Sequence, residues 1–252
     1  MIKPAADDWD QHWDNYAESA SHNPAQAYRR TLIFKLLGDL DANSRLLDIG
    51  SGQGDFARDF VERYPATPFL GLEVSRSGVD QSRQRVPAAQ FVQRDLLLPR
   101  EGDDEYRRWA THAVCSEVLE HVDKPALLLR NAGAYMKPGC RVVVTVPGGP
   151  MSAFDKHIGH RQHFTVDSLT TLLRTAGFQP EFVSGAGFPF FNLYRLVVIA
   201  RGERLIQDVQ SGQASASSGL ARQVMRMFDH LFRLNTDRSR RGWQMIAVAR
   251  QI

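Results

Sequence analysis

The sequence predicts an α/β fold built on a mostly parallel sheet with helices on both faces. Short strands rich in Val, Ile and Leu alternate with helical segments along most of the chain. Several of these strands end in a glycine or an acid. Parallel strands are buried on both faces and read as continuous apolar runs, so this alternation is typical of repeated βαβ units.

The predicted elements follow one another in a regular order. The first is a helix over residues 24–40, which begins at an Asn23–Pro24 cap and carries one stripe of Leu and Ile. The sequence then predicts strand 44–50, helix 54–64, strand 68–75, helix 78–86, strand 89–95, strand 112–117, helix 124–136, strand 140–147, helix 165–177, strand 179–185 and strand 243–250. The sheet is therefore expected to have seven strands.

Residues 186–241 interrupt this alternation before the last strand. Their first part belongs to an apolar run over residues 182–200. This run contains Pro189, Asn192 and Arg195, so it does not fit a transmembrane span. Three roles stay open for this run: the wall of an acceptor pocket, an oligomer contact such as a homodimer interface, or a membrane surface.

The C-terminal part of the chain is basic, although the net charge of the whole is only +3. Residues 201–252 contain nine Arg and four acids. A basic segment can attract phosphate, nucleic acid or anionic lipid, but these arginines are spread out, which favours a solvated helical face. Within this part, 210–219 is expected to be flexible and 220–234 to form an amphipathic helix.

The composition is that of an ordinary globular protein, with 43% hydrophobic and 23% charged residues. Its two cysteines, Cys115 and Cys140, form neither a disulfide framework nor a zinc-binding spacing. The N-terminus MIKPAADDWDQHW lacks the apolar segment of a signal peptide. We therefore expect buried thiols in a reducing cytoplasm.

A glycine-rich loop joins the first strand to the next helix in LLDIGSGQGDF, residues 46–56. In an open parallel sheet, ligands bind beyond the carboxyl ends of the strands, so a cofactor is expected at this loop. Glycine adopts positive φ and lets the backbone pass close to a ligand. The G-x-G-x-G spacing of Gly50, Gly52 and Gly54 differs from the G-x-G-x-x-G that dinucleotide sites prefer.

Acidic residues at the strand ends favour a cationic ligand that contains a nucleoside. Asp48 and Asp55 flank the glycine loop, where carboxylates would repel a pyrophosphate but suit a cation. Glu73 ends the second strand nineteen residues after Gly54, and a carboxylate there can accept both hydroxyls of a ribose. Asp95 ends the third strand, where it could accept from an adenine amino group.

These residues resemble motifs of the class I S-adenosylmethionine-dependent methyltransferase family. LLDIGSGQGDF is similar to its first motif, GLEVS (71–75) to its ribose-binding acidic motif and FVQRDLL (91–97) to its adenine-contacting segment. SEVLEHVDKPALLLRNAGAYMKPGCRVVVTVPGG (116–149) is similar to the family's next block, which extends through the fifth strand. Together the motifs cover residues 24–185 in order.

The resemblance implies a Rossmann-like, seven-stranded, mostly parallel sheet with an antiparallel last strand and a helical insertion before it. It also implies S-adenosyl-L-methionine as the cofactor. The methionine part would then face Asp48 and the glycine loop, the ribose would face Glu73, and the adenine would face Asp95 with Leu96.

Further residues acquire roles from the same resemblance. Glu117 and His121 would line the cavity near the sulfonium, and Arg29 would pair with the cofactor's carboxylate from a leading helix. The predicted cofactor-binding residues are Arg29, Asp48, Gly50, Ser51, Gly52, Gly54, Glu73, Val74, Asp95, Leu96, Glu117 and His121.

The chain is expected to form a single domain of this family. Its predicted parts are an N-terminal helical cap (1–43), a cofactor-binding core (44–185), an insertion that serves the substrate or an interface (186–241) and a final strand (242–252).

A histidine-rich stretch, DKHIGHRQHF, follows the fifth strand at residues 155–164. It resembles the pattern D-x-x-x-G-H-x-R-x-[YF]-[ST] of one branch of these methyltransferases, with the arginine shifted by one position. Its place at the carboxyl edge of the sheet predicts an acceptor-facing loop. We expect His160 or His163 to orient or deprotonate the acceptor, and the alternative is that these imidazoles only brace the loop.

No metal is expected at this stretch. On a helix His163 would lie about 240° from His157, away from the face that His157 shares with His160. Gly159 disfavours a helix in any case, and no neighbouring Cys or Glu completes a ligand set.

The function that the sequence favours is methyl transfer to oxygen or nitrogen of a small-molecule acceptor. A second interpretation takes RNA or protein as the acceptor, but no RNA-binding module is recognisable. A third is a nicotinamide-dependent oxidoreductase, against which the glycine spacing and the third acid argue. A non-catalytic binding protein would not need the intact acids. We expect a cytoplasmic enzyme without a nucleic-acid partner or a transmembrane segment.

Overall fold

A seven-stranded mixed sheet forms the centre of the computed structural model, which describes residues 9–10, 23–99, 105–202 and 219–252. Its strands are β1 (Leu46–Ile49), β2 (Phe69–Glu73), β3 (Gln90–Gln93), β4 (Ala110–Ser116), β5 (Met136–Pro147), β6 (Phe178–Ala186) and β7 (Gln244–Gln251). They lie in the order β3-β2-β1-β4-β5-β7-β6. The first five pair in parallel, whereas β7 is antiparallel to both β5 and β6. The predicted fold class is confirmed.

Helices cover both faces of this sheet, as predicted. They are α1 (Pro24–Leu36), α2 (Asp55–Arg63), α3 (Arg76–Arg85), α4 (Pro125–Ala132), α5 (Ala153–His157), α6 (Val166–Thr175), α7 (Phe190–Ala200) and α8 (Gly219–Leu231). Apolar side chains of α4 and α6 fill the core on one face. Those of α1, α2, α3, α7 and α8 fill the core on the other face.

The first helix shows why an observed boundary departs from its prediction. α1 begins at the predicted cap, where the Asn23 side chain accepts a hydrogen bond from the Ala25 N–H at 2.9 Å. It ends at Leu36 rather than at residue 40. Gly38 has a φ of 78°, and this left-handed conformation directs the chain out of the helix.

The histidine stretch is partly helical, contrary to the prediction. Asp155 and His157 lie in α5, whose N-cap Ser152 forms a capping box with Asp155. Gly159 follows with a φ of 91° and ends this short helix. The prediction is correct for the histidines beyond Gly159, which lie in the loop before α6.

The insertion folds onto the first helix. The predicted amphipathic helix is confirmed as α8, extended by a 3-10 turn over Phe232–Leu234. Two aromatic residues of α7 are buried core residues: Phe191 lies 5.5 Å from Tyr28, and Tyr194 lies 5.3 Å from Phe228, between ring centroids. The Ser-rich stretch up to residue 218 lies outside the described residues. None of the helices in the described ranges has the length and apolar character required to cross a bilayer.

The residues of the candidate site lie at one edge of the sheet, at the carboxyl ends of the parallel strands. The glycine loop follows β1, Glu73 ends β2, Asp95 lies just beyond β3 and Glu117 directly follows β4. The histidine stretch lies in the connection after β5. Because parallel strands have their carboxyl ends at the same edge, these five groups share one rim of the sheet.

Candidate active site

The glycine loop between β1 and α2 has the backbone that its sequence predicts. Gly50, Gly52 and Gly54 have left-handed φ values of 71°, 54° and 85°. At Gly50 a side chain would also collide with the chain, because an added Cβ would lie 2.4 Å from Cγ2 of Val118. The loop therefore needs glycine both for its conformation and for its close approach to the segment after β4.

Glu73 fixes this loop from the neighbouring strand. Its carboxylate oxygens accept hydrogen bonds from the N–H groups of Gly52 and Ser75, each at 2.9 Å, and the residue is only 4% exposed. The Ser82 hydroxyl of α3 donates to the Gly52 carbonyl oxygen at 2.8 Å. Each carboxylate oxygen has further acceptor capacity, so Glu73 can also receive a hydrogen bond from a ligand.

Asp48 is a buried carboxyl group of β1. Burial raises its pKa to about 8, and the carboxylate of Glu73 adds to the rise. Ser51, in the glycine loop, is buried as well, and its Oγ has no hydrogen-bond partner among the described residues. A polar, cationic ligand at this loop would satisfy both groups.

The predicted adenine contacts follow β3. Asp95 is half-buried, and its Oδ1 accepts a hydrogen bond from the Leu97 N–H at 2.8 Å. Leu96 is 6% exposed and belongs to the core. Val74, beyond β2, is 42% exposed and leaves an apolar surface next to Glu73 in the chain. An acid beside apolar side chains is suited to a base with an exocyclic amino group.

Glu117, directly after β4, is held by three side chains. Its Oε2 accepts from Arg29 Nη2 at 3.0 Å, and its Oε1 accepts from Gln244 Nε2 at 2.9 Å and Thr145 Oγ1 at 3.1 Å. Its φ of 57° is rare for a residue with a side chain. Residues with such strained backbone conformations cluster at functional sites. The expected contact of Arg29 with a cofactor carboxylate stays a prediction, because its guanidinium pairs with Glu117 in this structure.

His160 and His163 form a hydrogen-bonded pair with a defined direction. His163 Nδ1 lies 3.0 Å from the Gly149 carbonyl oxygen, which can only accept, so this nitrogen carries the proton. In the neutral ring its Nε2 then accepts from His160 Nδ1, 3.1 Å away. His160 is thereby left with its lone pair on Nε2. His157 is exposed and lies outside this pair.

Both rings of the pair are neutral near pH 7. Burial lowers the pKa of His160 to about 3, and the neighbouring His121 lowers it further, against the opposing effect of Asp155. Burial also lowers the pKa of His163. With so low a pKa, His160 is a weak base at neutral pH, but its free lone pair is available as a hydrogen-bond acceptor or a ligand.

A buried ion pair attaches the histidine loop to the insertion. Asp155 of α5 binds Arg195 of α7 through two hydrogen bonds, of 3.0 and 2.7 Å, and the two residues are 0% and 8% exposed. Burial alone would raise the pKa of Asp155, but Arg195 and the Ser152 cap outweigh it and hold this pKa at about 2. The carboxylate is therefore charged and matched by a buried guanidinium.

Glu120 and His121 extend the cluster from the segment after β4. They lie in a 3-10 turn, Leu119–His121, and the His121 ring lies edge-on to His160 with 4.7 Å between centroids. Trp9 contacts the same ring at 4.9 Å. Burial raises the pKa of Glu120 well above its usual range, and the Glu117 carboxylate adds to the rise.

Sequence reasoning missed Glu120, Asp155 and Arg195. Near neighbours along the chain are all that spacing can indicate, whereas Glu120 approaches the histidines from the segment between β4 and α4. A usable signal for the ion pair was present: an arginine within the apolar run of α7 requires a buried partner, and Asp155 is an acid beside the apolar fifth strand.

Comparisons with known proteins agree on one family. Residues 19–181 match a family model described as a methyltransferase domain. The chain is 35% identical over 110 residues to a trans-aconitate 2-methyltransferase of Paracidovorax citrulli, covering 43% of this chain and 40% of that protein. It is 26% identical over 141 residues to a ubiquinone biosynthesis O-methyltransferase of Alkalilimnicola ehrlichii, covering 55% and 54%.

A solved structure gives the same fold. The phosphoethanolamine N-methyltransferase 2 of Haemonchus contortus, in complex with S-adenosyl-L-methionine, superposes with a TM-score of 0.63 at 15% identity, covering 99% of this chain and 61% of that one. The chain spans only about half the length of the two curated relatives, 40% and 54%. The family model, however, matches more than half of this chain. The chain therefore belongs to the methyltransferase domain family.

Proposed function

We propose that the protein transfers a methyl group from S-adenosyl-L-methionine to a small-molecule acceptor. The observation that carries the proposal is the placement of Asp48, Glu73 and Asp95 at successive strand ends beside a glycine loop. Family membership supports it, as do relatives named as methyltransferases of small molecules. The cofactor supplies a methyl group on a sulfonium, and the protein must align an acceptor with it and exclude water.

The residues of the glycine loop fit this cofactor. The buried carboxyl of Asp48 and the unsatisfied Ser51 hydroxyl suit its cationic methionine part, Glu73 its ribose, and Asp95 with Leu96 its adenine. The acids that flank the glycine loop, Asp48 and Asp55, disfavour the pyrophosphate of a nicotinamide dinucleotide at this loop. Glu117, with its strained backbone, and His121 would line the cavity where the methyl group is transferred.

The acceptor side of the proposed site is the histidine cluster. His160 presents an Nε2 lone pair, and His163 fixes its ring through the Gly149 carbonyl. We propose that His160 orients an acceptor hydroxyl or amine by accepting its proton in a hydrogen bond, with His163 as its positioning residue. The insertion helix α7 supports this loop through the Asp155–Arg195 pair. A reducing, cytoplasmic location is part of the proposal and is supported by two buried, free cysteines.

We expect cofactor binding to release a proton from Asp48. The free carboxyl has a pKa of about 8 and is mostly protonated at pH 7. A cationic ligand favours the ionised form, so affinity should rise from pH 6 to about pH 8 and then level off. Calorimetry at pH 7 in phosphate and in Tris should give different heats, and the difference equals the number of protons released multiplied by the difference between the two buffers' protonation enthalpies. The Asp48→Asn variant controls for protons that the cofactor itself exchanges, and equal proton release in both proteins would contradict this assignment.

Removing either central histidine should reduce turnover with the acceptor. We expect His160→Ala to lower kcat/KM by about 10²-fold, as for loss of one positioned proton acceptor, and His163→Ala by less. The matched control is His157→Ala, an exposed histidine of the same stretch. Steady-state kinetics at saturating cofactor measure the effect. If both variants retain the turnover of the His157→Ala control, the histidines only brace the loop.

A product assay tests the proposed function as a whole. The chain is incubated with S-adenosyl-L-methionine carrying a labelled methyl group and with panels of small acids, phenols and amines, followed by extraction and mass spectrometry. A labelled small-molecule product supports the proposal. Label in RNA or protein but in no small molecule would contradict it.

A further inference from the structure

Glu120 is a buried acid that the described residues leave unbalanced. The residue is 0% exposed, and neither of its carboxylate oxygens has a hydrogen-bond partner among the described residues. The two other acids of the cluster are compensated, since Glu117 pairs with Arg29 and Asp155 pairs with Arg195. A buried polar group without a partner is costly and points to an ion or another group that satisfies it.

Two imidazoles lie close to this carboxyl group. Glu120 Oε1 lies 3.9 Å from His121 Nε2. One ligand atom from each of Glu120, His121 and His160 lies within 4.8 Å of the other two. Ligand atoms around a tetrahedral zinc ion are separated by roughly 3.3 Å, given bonds of about 2.0–2.1 Å. A modest contraction of the three side chains would therefore produce a coordination site.

The two segments that carry these side chains are already joined. The Arg161 N–H donates to the Glu120 carbonyl oxygen at 2.8 Å, so the residue after His160 is tied to the residue before His121. The Gln162 side chain contacts the carbonyls of Leu119 and Val122, both at 3.4 Å. These hydrogen bonds hold the two segments together, so Glu120, His121 and His160 stay close to one another. They therefore reduce the conformational entropy that is lost when an ion binds.

The imidazole of His160 is prepared for coordination through its partners. Its Nδ1–H donates to His163 Nε2, and His163 Nδ1–H donates to the Gly149 carbonyl. Metal-binding histidines usually donate their other ring N–H to such an outer partner, which fixes the tautomer and the ring. The nitrogen left with a lone pair is Nε2 of His160.

We propose that Glu120, His121 and His160 bind a divalent first-row transition-metal ion such as Zn²⁺. Two imidazoles and one carboxylate suit Zn²⁺, Fe²⁺ or Co²⁺, whereas Mg²⁺ and Ca²⁺ prefer oxygen ligands alone. Three protein ligands leave a coordination position open for water or for an acceptor oxygen. With an ion bound, His160 Nε2 is a ligand and no longer accepts a hydrogen bond, so the acceptor oxygen would bind at the open coordination position instead. A bound ion would lower the pKa of that acceptor hydroxyl, a consequence that rests on the proposed methyl transfer.

The second group of possible ligands is a poorer site. Asp155, His160 and His163 also lie within 4.8 Å of one another through one ligand atom each. However, Asp155 is bound through both oxygens by Arg195, and that buried guanidinium repels a cation. The nitrogens of His160 and His163 that face each other already share a proton. Coordination there would require these bonds to break.

Cobalt titration of the chelator-treated full chain tests the site. Co²⁺ in a nitrogen and oxygen ligand set absorbs visible light, and Zn²⁺ added afterwards displaces it. We expect one Co²⁺ per chain in the wild type and in His157→Ala, and affinity at least about tenfold lower in Glu120→Gln, His121→Ala and His160→Ala. Mg²⁺ should not compete. Thermal unfolding gives a second readout: the same concentration of Zn²⁺ should raise the Tm of the wild type more than that of Glu120→Gln.

Two results would overturn the assignment. One is a wild type that binds no Co²⁺. The other is unchanged binding in Glu120→Gln and His121→Ala, and an accompanying loss in His163→Ala would place the ion at the Asp155 group. Glu120→Gln should fold about as stably as the metal-free wild type, because it replaces a buried ionisable group with a neutral amide of the same shape. Metal binding is measured without methyl transfer, so failure here leaves the proposed function standing, and failure of the labelled-product assay leaves the ion site standing.

Discussion

The Glu73→Gln variant should bind S-adenosyl-L-methionine about 10- to 100-fold more weakly than the wild type. In the structure the Glu73 carboxylate holds the N–H groups of Gly52 and Ser75, and in the proposed complex it also accepts ribose hydroxyls. Hydrogen bonds to a charged group contribute about 1.5–3 kcal/mol, and an amide cannot accept on its nitrogen. The loss therefore affects both the ligand and the loop that receives it. Calorimetry gives the Kd directly.

The matched control for this change is Glu62→Gln. Glu62 is an exposed acid of α2, so the same substitution there alters the charge but not the site. Equal Kd values for the two variants would show that Glu73 does not contribute to cofactor binding. Near-ultraviolet circular dichroism of both variants would show whether the tertiary packing is retained.

The Asp155→Asn variant should lose about 3–5 kcal/mol of unfolding free energy. It leaves the Arg195 guanidinium, 8% exposed, without its buried counter-ion, and an uncompensated buried charge is among the costliest defects in a folded protein. The loss should be smaller in the double variant with Arg195→Met, because that change removes the unpaired charge as well. Urea denaturation gives the unfolding free energy of the wild type, of Asp155→Asn and of the double variant.

An exposed ion pair provides the comparison. Lys35 and Asp237 lie 2.7 Å apart, but their side chains are 53% and 49% exposed. Asp237→Asn should therefore cost less than about 1 kcal/mol, since solvent already screens the pair. If Asp155→Asn and Asp237→Asn are equally stable, the Asp155–Arg195 pair does not hold the histidine loop against the insertion.

The sheet edge could be predicted from the sequence because its signals are local. Asp48, Glu73 and the glycine loop follow directly from apolar strands, and the chain direction of parallel strands fixes where their ends meet. The glycines at 50, 52 and 54 are confirmed in left-handed conformations, which the sequence spacing alone suggested. These features depend on a few neighbouring residues and on a general rule of sheet topology.

The acceptor side could not be predicted to the same depth because its contacts are distant along the chain. Asp155 and Arg195 are separated by forty positions along the chain. Glu120, which follows β4, lies near His160, which follows β5. Periodicity and spacing carry no information on which loop packs against which. The same limit applies to Arg29, whose partner Glu117 lies on another element. The short helix α5 was missed for a different reason: the Ser152–Asp155 capping box starts it, and it ends before Gly159.

Calorimetric titration of the full chain with S-adenosyl-L-methionine, and separately with NAD, tests the central claim most directly. Asp48, Glu73 and Asp95, at successive strand ends on one rim of the sheet, predict saturable binding of one S-adenosyl-L-methionine per chain. The glycine spacing and the acids flanking the glycine loop predict no binding of NAD. Binding of NAD without binding of S-adenosyl-L-methionine would contradict the account.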